Sequence, residues 1–131
     1  MRIICDTHVL LFWADAPNRL GASAQTAIAQ GIKDRALACS DISLWEIAML
    51  FAKGRLRQDV DAICYMNDII TAMSLDVLPV TPAIAVLAQS GIFPHKDPAD
   101  RLIGATALYY KASLITVDQI LQTVPGLKTI W

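Results

Sequence analysis

Short apolar runs alternate along this chain with longer stretches of helical period, and turn residues separate them. Arg2-Ile3-Ile4-Cys5 reads as a buried strand ending at Asp6-Thr7, after which Val9-Leu10-Leu11-Phe12-Trp13 begins a helix of about two turns. Pro17-Asn18-Arg19-Leu20-Gly21 breaks that helix. Residues 22–33 are alanine-rich and periodic, hence helical, and Ala36-Leu37-Ala38-Cys39 is a second strand. Ser40 or Asp41 then caps a helix that carries Glu46 and stops at Lys53-Gly54, with the glycine at C′. A further amphipathic helix over 60–73 places Ile63, Met66, Ile69, Ile70 and Met73 on one face.

Asp76-Val77-Leu78-Pro79-Val80 follows as a strand whose proline suits an edge or a strand end. Thr81-Pro82 opens a helix through Gln89, and Asp97-Pro98-Ala99-Asp100 launches a longer one to Ala112. Leu114-Ile115-Thr116 is a strand leading to Asp118, and Leu127-Lys128-Thr129-Ile130-Trp131 supplies a last short one. This alternation predicts an α/β fold, an open and mostly parallel sheet covered by helices on both faces. The 131 residues contain no internal repeat, linker or low-complexity segment, so one domain over 1–131 is expected. Ligands of such sheets bind beyond the carboxyl ends of the strands. Asp6 and Asp118 stand at such ends and Ser40-Asp41 leads into the Glu46 helix, so the acids are expected to converge on one rim.

Composition changes the picture in three ways. An apolar fraction of 55% is high for a small protein and predicts surface covered by a second copy or a partner. The longest uncharged stretch, Val77 to His95, contains Pro79, Pro82 and Pro94 and cannot run as one membrane-spanning helix. Asp6, His8 and Asp15 interrupt the apolar opening, which argues against a signal peptide, and a cytoplasmic protein is expected. Cys5, Cys39 and Cys64 are odd in number, widely spaced and flanked by apolar residues, which favours reduced core thiols over a disulfide framework or a zinc site. A formal net charge of −1 argues against a broad electrostatic footprint for nucleic acid, so phosphate contact must be local. Arg55, Arg57, Lys96, Arg101 and Lys111 are the candidates for it.

Four acids stand out against this apolar background. Asp6 closes a strand, Glu46 lies inside an apolar helix, Asp100 opens another helix and Asp118 follows a strand. Asp6 also suits the N-cap of the helix that follows, Asp100 at N3 suits the helix dipole, and Asp118 suits a turn. Glu46, the only glutamate of the chain, has Ser43 and Leu50 on its helix face and no local cation, although Arg101 is a possible distant partner. Carboxylates about 5 Å apart repel by roughly 3 kcal/mol at an effective dielectric of about 20, so something positive must offset them. Oxygen donors without a His or Cys cluster suit Mg²⁺ or Mn²⁺ rather than Zn²⁺, and such a metal assists in-line hydrolysis of a phosphodiester. Thr7, Ser43 and Thr116 are placed to orient the acids through hydrogen bonds. His8 reads as structural, His95 as a loop or phosphate contact, and Trp13, Trp45 and Trp131 as core or interface.

The chain resembles the PIN domain family, and within it the VapC-type toxins of bacterial toxin–antitoxin pairs. The resemblance runs through Ile3-Ile4-Cys5-Asp6-Thr7-His8-Val9-Leu10-Leu11, Ser43-Leu44-Trp45-Glu46-Ile47-Ala48, the stretch from Asp97 to Ala107, and Leu114-Ile115-Thr116-Val117-Asp118. It implies a three-layer α/β/α fold and a Mg²⁺- or Mn²⁺-dependent ribonuclease whose acids fall on Asp6, Glu46, Asp100 and the more variable Asp118. Thr116 matches a hydroxyl residue that often precedes the fourth acid, while Asp97 is an extra acid, read here as an N-cap. A homodimer, an RNA substrate and a cognate antitoxin whose C-terminal segment covers the acidic groove are implied as well. One departure is Arg101, where many relatives carry a small residue; beside a metal it can bind phosphate, as can Lys96, or it can pair with a carboxylate. Two other readings stay open: a non-catalytic PIN-like module kept for binding or dimerisation, and a solitary nuclease without an antitoxin.

Overall fold

A computed structural model describes residues 2–131. Five parallel strands form one sheet: β1 (Ile3–Cys5), β2 (Leu37–Ser40), β3 (Asp76–Leu78), β4 (Ser113–Ile115) and β5 (Thr129–Ile130), in the order β3-β2-β1-β4-β5. Six α-helices flank it: α1 (Thr7–Asp15), α2 (Ala22–Asp34), α3 (Ile42–Ala52), α4 (Ala62–Ala72), α5 (Pro82–Ala88) and α6 (Pro98–Tyr109). The expected α/β/α architecture is borne out, and Pro79 falls just beyond the edge strand β3, where no ladder hydrogen bond is needed from it.

Strand periodicity sorts the side chains into two cores. Cys5, Leu37, Cys39 and Ile115 face one cluster with Val9, Leu10, Ile28, Ile47, Tyr65 and Met73, contributed by α1 to α4 and the turn after α4. Ile4, Ala38 and Leu114, one residue out of step, face the other cluster with Ile84, Phe93, Ile103 and Leu121. Each fully buried Ile or Leu contributes roughly 1.5–3 kcal/mol by leaving water. Gly104 of α6 lets that helix close on the second core, since a Cβ there would stand 2.6 Å from the Phe93 ring.

Two details depart from the expectations. Tyr65 and Ile69 of α4 and Met73 just after it are buried at four-residue spacing, with Met66 and Ile70 partly covered, while Ile63 is turned outward. Cys64 beside it is exposed rather than a core thiol, unlike the buried Cys5 and Cys39. Of the two residues expected to cap α3, Ser40 has its Oγ accepting from the Ile42 amide at 3.2 Å. Asp41 instead accepts from the Val80 amide at 3.3 Å and ties α3 to the edge beside β3. Gly54 takes φ +68 at the end of α3, the left-handed C′ geometry that glycine accepts without strain.

The chain builds β1, β2 and β3 outward on one side and returns to β4 and β5 on the other. The order therefore reverses between β1 and β4, and loops leave that crevice in opposite directions. Asp6 follows β1, and Thr116 and Asp118 follow β4.

Candidate active site

Asp6 serves two ends at once. As N-cap of α1 it accepts from the Thr7 amide through Oδ1 at 2.7 Å, and across the β1–β4 crevice its Oδ2 accepts from the Thr116 hydroxyl at 2.7 Å. The capping and site readings are therefore compatible. The Thr7 hydroxyl, buried at the start of α1, donates to Glu46 Oε1 at 2.5 Å and lies 2.8 Å from Ser43 Oγ. A hydroxyl has one proton, so with Glu46 ionised Thr7 spends its proton there and Ser43 donates to Thr7. Helical spacing puts Ser43 and Glu46 on one face of α3, and packing of α3 against α1 brings that face to Thr7.

Asp97 caps α6 by accepting from the Ala99 amide at 2.9 Å, which puts Asp100 in the first turn. Oxygens of Glu46, Asp97 and Asp100 all lie within 4.8 Å of one another. Asp97 is thus a cap and also a member of the cluster, the second of which the spacing did not reveal.

Asp118 stands in a different setting. Its Oδ1 accepts from the amides of Ile120 and Leu121 at 2.8 and 3.0 Å, and its own amide donates to Thr116 Oγ1 at 3.0 Å. Its Oδ2 lies 2.7 Å from His95 Nε2, which is also 3.1 Å from Asp100 Oδ2. His95, expected to close a loop or touch a phosphate, is carried by the structure into the middle of the acids. The one signal for it was a polar His95-Lys96 pair just ahead of the Asp97 cap. Arg101 neither pairs with a carboxylate nor faces Glu46, since it donates to the His95 carbonyl at 3.0 Å and so props the loop that holds the histidine. Lys96 is exposed, as are Arg55, Arg57 and Lys111, with Arg57 paired to Asp59 at 2.7 Å. His8 is exposed, and so is Trp45 beside Glu46, whereas Trp13 and Trp131 pack on the first core.

Electrostatics divide these acids in two. Burial pushes the Asp6 carboxyl up, outweighing the Thr116 and Thr7 hydrogen bonds that favour its ionised form. Burial likewise raises Glu46 against the opposing Thr7 hydroxyl, with the Asp6 and Asp97 charges adding to the rise. Asp100 is pushed up to about 7 by burial first and then by the Asp6 and Asp97 charges. Asp118 goes the other way: burial would raise it, but the Leu121 amide, the His95 ring and the Ile120 amide hold it below the usual carboxylate range. Burial depresses His95, yet the Asp118 hydrogen bond and the Asp100, Asp118 and Asp97 charges outweigh that and leave it raised.

Among the described residues no Lys or Arg lies in salt-bridge reach of Asp6, Glu46, Asp97, Asp100 or Asp118. Carboxylate oxygens from the buried Glu46, the half-buried Asp100 and the exposed Asp97, gathered without a Lys or Arg beside them, fit a hard divalent cation, whose preferred donors are carboxylates.

Residues 3–127 match the model of the PIN domain family. Ribonuclease VapC22 of Mycobacterium tuberculosis is 32% identical over 133 residues, spanning 98% of this chain and 98% of that protein. VapBC2 from Rickettsia felis, in a crystal structure with a DNA fragment from their promoter, superposes with a TM-score of 0.74 at 14% identity, covering 98% of this chain and 97% of that one. A toxin–antitoxin complex from Klebsiella pneumoniae gives a TM-score of 0.62 at 17% identity, over 95% of this chain and 94% of that one. At such identities these two structures establish a common fold.

Proposed function

The chain belongs to the PIN domain family, and from that membership we propose that it is a metal-dependent endoribonuclease, the toxin of a toxin–antitoxin pair. The observation that carries the reading is the gathering of Asp6, Glu46, Asp97 and Asp100 into one rim, with no Lys or Arg among the described residues in salt-bridge reach of them. Asp6, Glu46 and Asp100, joined by Asp118, would hold Mg²⁺ or Mn²⁺. A bound divalent cation supplies positive charge against the charge that develops on a phosphodiester and makes water acidic at neutral pH.

The chain's own residues do the rest. Thr116 and the Thr7 amide fix both oxygens of Asp6, and the Ser43–Thr7–Glu46 relay fixes one oxygen of Glu46, so these carboxylates keep their places without a ligand. Their hydroxyl partners are buried, which keeps bulk water off the donor side of the site. Lys96, exposed on the loop beside the acids, is a candidate for contact with an RNA phosphate. Arg101 contributes indirectly, through the carbonyl of His95.

The partner proposals rest on surface. Trp45, Ile63 and Val86 are 61%, 66% and 74% exposed, which supports a working assembly in which a second copy and an antitoxin cover apolar area. Among the described residues no helix is long and apolar enough to cross a membrane, and a cytoplasmic single-domain protein is proposed accordingly. Incubation of the purified protein with structured RNA and Mn²⁺ is expected to give internal cuts with 5′-phosphate and 3′-hydroxyl ends. Absence of cutting by the wild type, or equal cutting by Asp6→Asn, would leave a PIN-like binding module instead.

A further inference from the structure

The large apolar side chains left in water are not spread evenly over the chain. Trp45 is 61% exposed one residue before Glu46, Val117 and Ile120 are exposed on either side of Asp118, and Ile92 is exposed in the loop that leads to His95. Of these four, only Trp45 is aromatic.

Trp45 lies in the first turn of α3, which leaves the carboxyl end of β2, and helical side chains lean toward the helix N-terminus, so its indole stands at the same rim as the acids. One step of helix turns it about 100° from Glu46, beside the cluster rather than inside it. Among the described residues Trp45 belongs to neither core and pairs with no aromatic ring and no cation, unlike Trp13 and Trp131, which pack on the first core. Ile63 and Val86 are exposed too, but on α4 and α5, which contribute no acid to the cluster.

Charge decides what this face can take from RNA. The chain carries a formal net charge of −1, and no Lys or Arg among the described residues reaches the acids, so phosphates beyond one held by a bound cation gain little here. Affinity must then come from an uncharged part of the nucleotide. The base qualifies, because every base has a π-face and stacks on an aromatic side chain whatever the sequence. A base is tied through its own sugar to a phosphate, so a base on Trp45 delivers a phosphodiester to the neighbouring acids. Bases within a duplex are stacked on one another and have no free face to offer.

We propose that Trp45 is a substrate-binding residue whose indole stacks one unpaired base beside the phosphodiester that is cut, and so selects unpaired over paired RNA. The proposal rests on the ribonuclease reading above and deepens it. A partner that covers the rim in a resting pair masks the indole as well, and RNA takes it once that partner leaves.

The test begins with a short single-stranded RNA spanning a mapped cut, carrying 2-aminopurine at one position at a time, bound with Mn²⁺ to the full-length Asp6→Asn protein so that no cutting intervenes. One position next to the cut is expected to lose fluorescence on binding, to do so again when Trp45→Phe is added, and not when Trp45→Ala is added. In cleavage by otherwise wild-type protein, Trp45→Ala should raise KM by about 10-fold with little change in kcat, within the range for stacking one base on an aromatic ring, and Trp45→Phe should restore most of the loss. The KM ratio should be the same at about 50 and about 200 mM salt, since stacking neutralises no phosphate. An unchanged KM in Trp45→Ala, a ratio that collapses as salt rises, or no quenched position overturns the proposal while leaving the nuclease standing. So does a light-scattering mass that falls from two chains to one in Trp45→Ala, which would put the indole between two copies. Absence of cutting by the wild type removes the ribonuclease reading itself, and the proposal with it.

Discussion

Asp6 and Asp118 are the same residue type at the ends of adjacent strands, yet their surroundings push their carboxyls in opposite directions. Asp118 receives two amides and an imidazole, donors held in place by backbone or by a pinned ring, and is settled as a carboxylate without help. Asp6 receives one amide and one hydroxyl and Glu46 a hydroxyl in a more deeply buried setting, and burial first, with neighbouring negative charge adding to it, leaves both above the usual range. The Asp118 side of the site is thus settled as a carboxylate as folded, whereas on the Asp6–Glu46 side the acids lack a compensating charge. Hydrogen bonding keeps an acid in position, whereas only opposite charge compensates several acids together.

The largest effect expected from this contrast is on catalysis. Glu46→Gln should lower RNA cleavage by more than about 100-fold, while Asp118→Asn, at a proposed metal ligand that two amides and His95 also hold in place, should lower it by only about 10-fold. Parallel cleavage assays at saturating Mn²⁺ check the ranking, and equal losses would erase the distinction between the halves. Next comes ligand binding: Mn²⁺ at about 100 times its Kd should add about 2.7 kcal/mol, a rise of roughly 10 °C in Tm for a chain of this size. Differential scanning fluorimetry reads it, and Glu46→Gln should abolish the shift.

Stability against pH follows in size. The folded carboxyl of Asp100 lies at about 7, above its unfolded value, so its contribution is fully present below about pH 4 and is lost as pH rises through about 7. Asp6, Glu46 and His95 are also raised and act in the same direction, whereas Asp118 is lowered and its favourable contribution is already complete above about pH 4. Urea melts in chelator at about pH 5.5 and about pH 8, on either side of the folded Asp100 value of about 7, should therefore show lower stability at the higher pH, by a few kcal/mol on the order-of-magnitude scale of such shifts. Saturating Mn²⁺ should flatten the dependence. The smallest effect is that of Glu46→Gln without metal at pH 8, which should leave stability unchanged or raise it by about 1 kcal/mol, since it removes a repelled charge and keeps an acceptor for Thr7. A loss of several kcal/mol in a denaturant melt would mean that Glu46 is held as part of a structural ion pair.

Much of the architecture was legible because it rests on local pattern. Proline and cap residues marked the starts of α5 and α6, and Thr81 and Asp97 both accept from backbone amides as their positions imply. Glu46 was conspicuous because an acid in an apolar helix has so few uses. The outward turn of Ile63 was not legible, since several apolar residues on α4 compete for burial and the curvature of the packed surface selects among them. Nor was the exposure of Trp45, whose neighbours within α3 are as apolar as those of any core residue.

Sequence by itself determined which segments are strand or helix and that four acids must end at the same rim, because strand ends, caps and polarity are set within a few residues. Tertiary structure alone decided how those acids are served. His95 reaches Asp118 across a separation of 23 residues, and Thr116 reaches Asp6 across 110. Such contacts depend on where the strand order reverses and on how a loop is propped, and both arise from packing of the whole sheet and its helices, which no local stretch of the chain encodes.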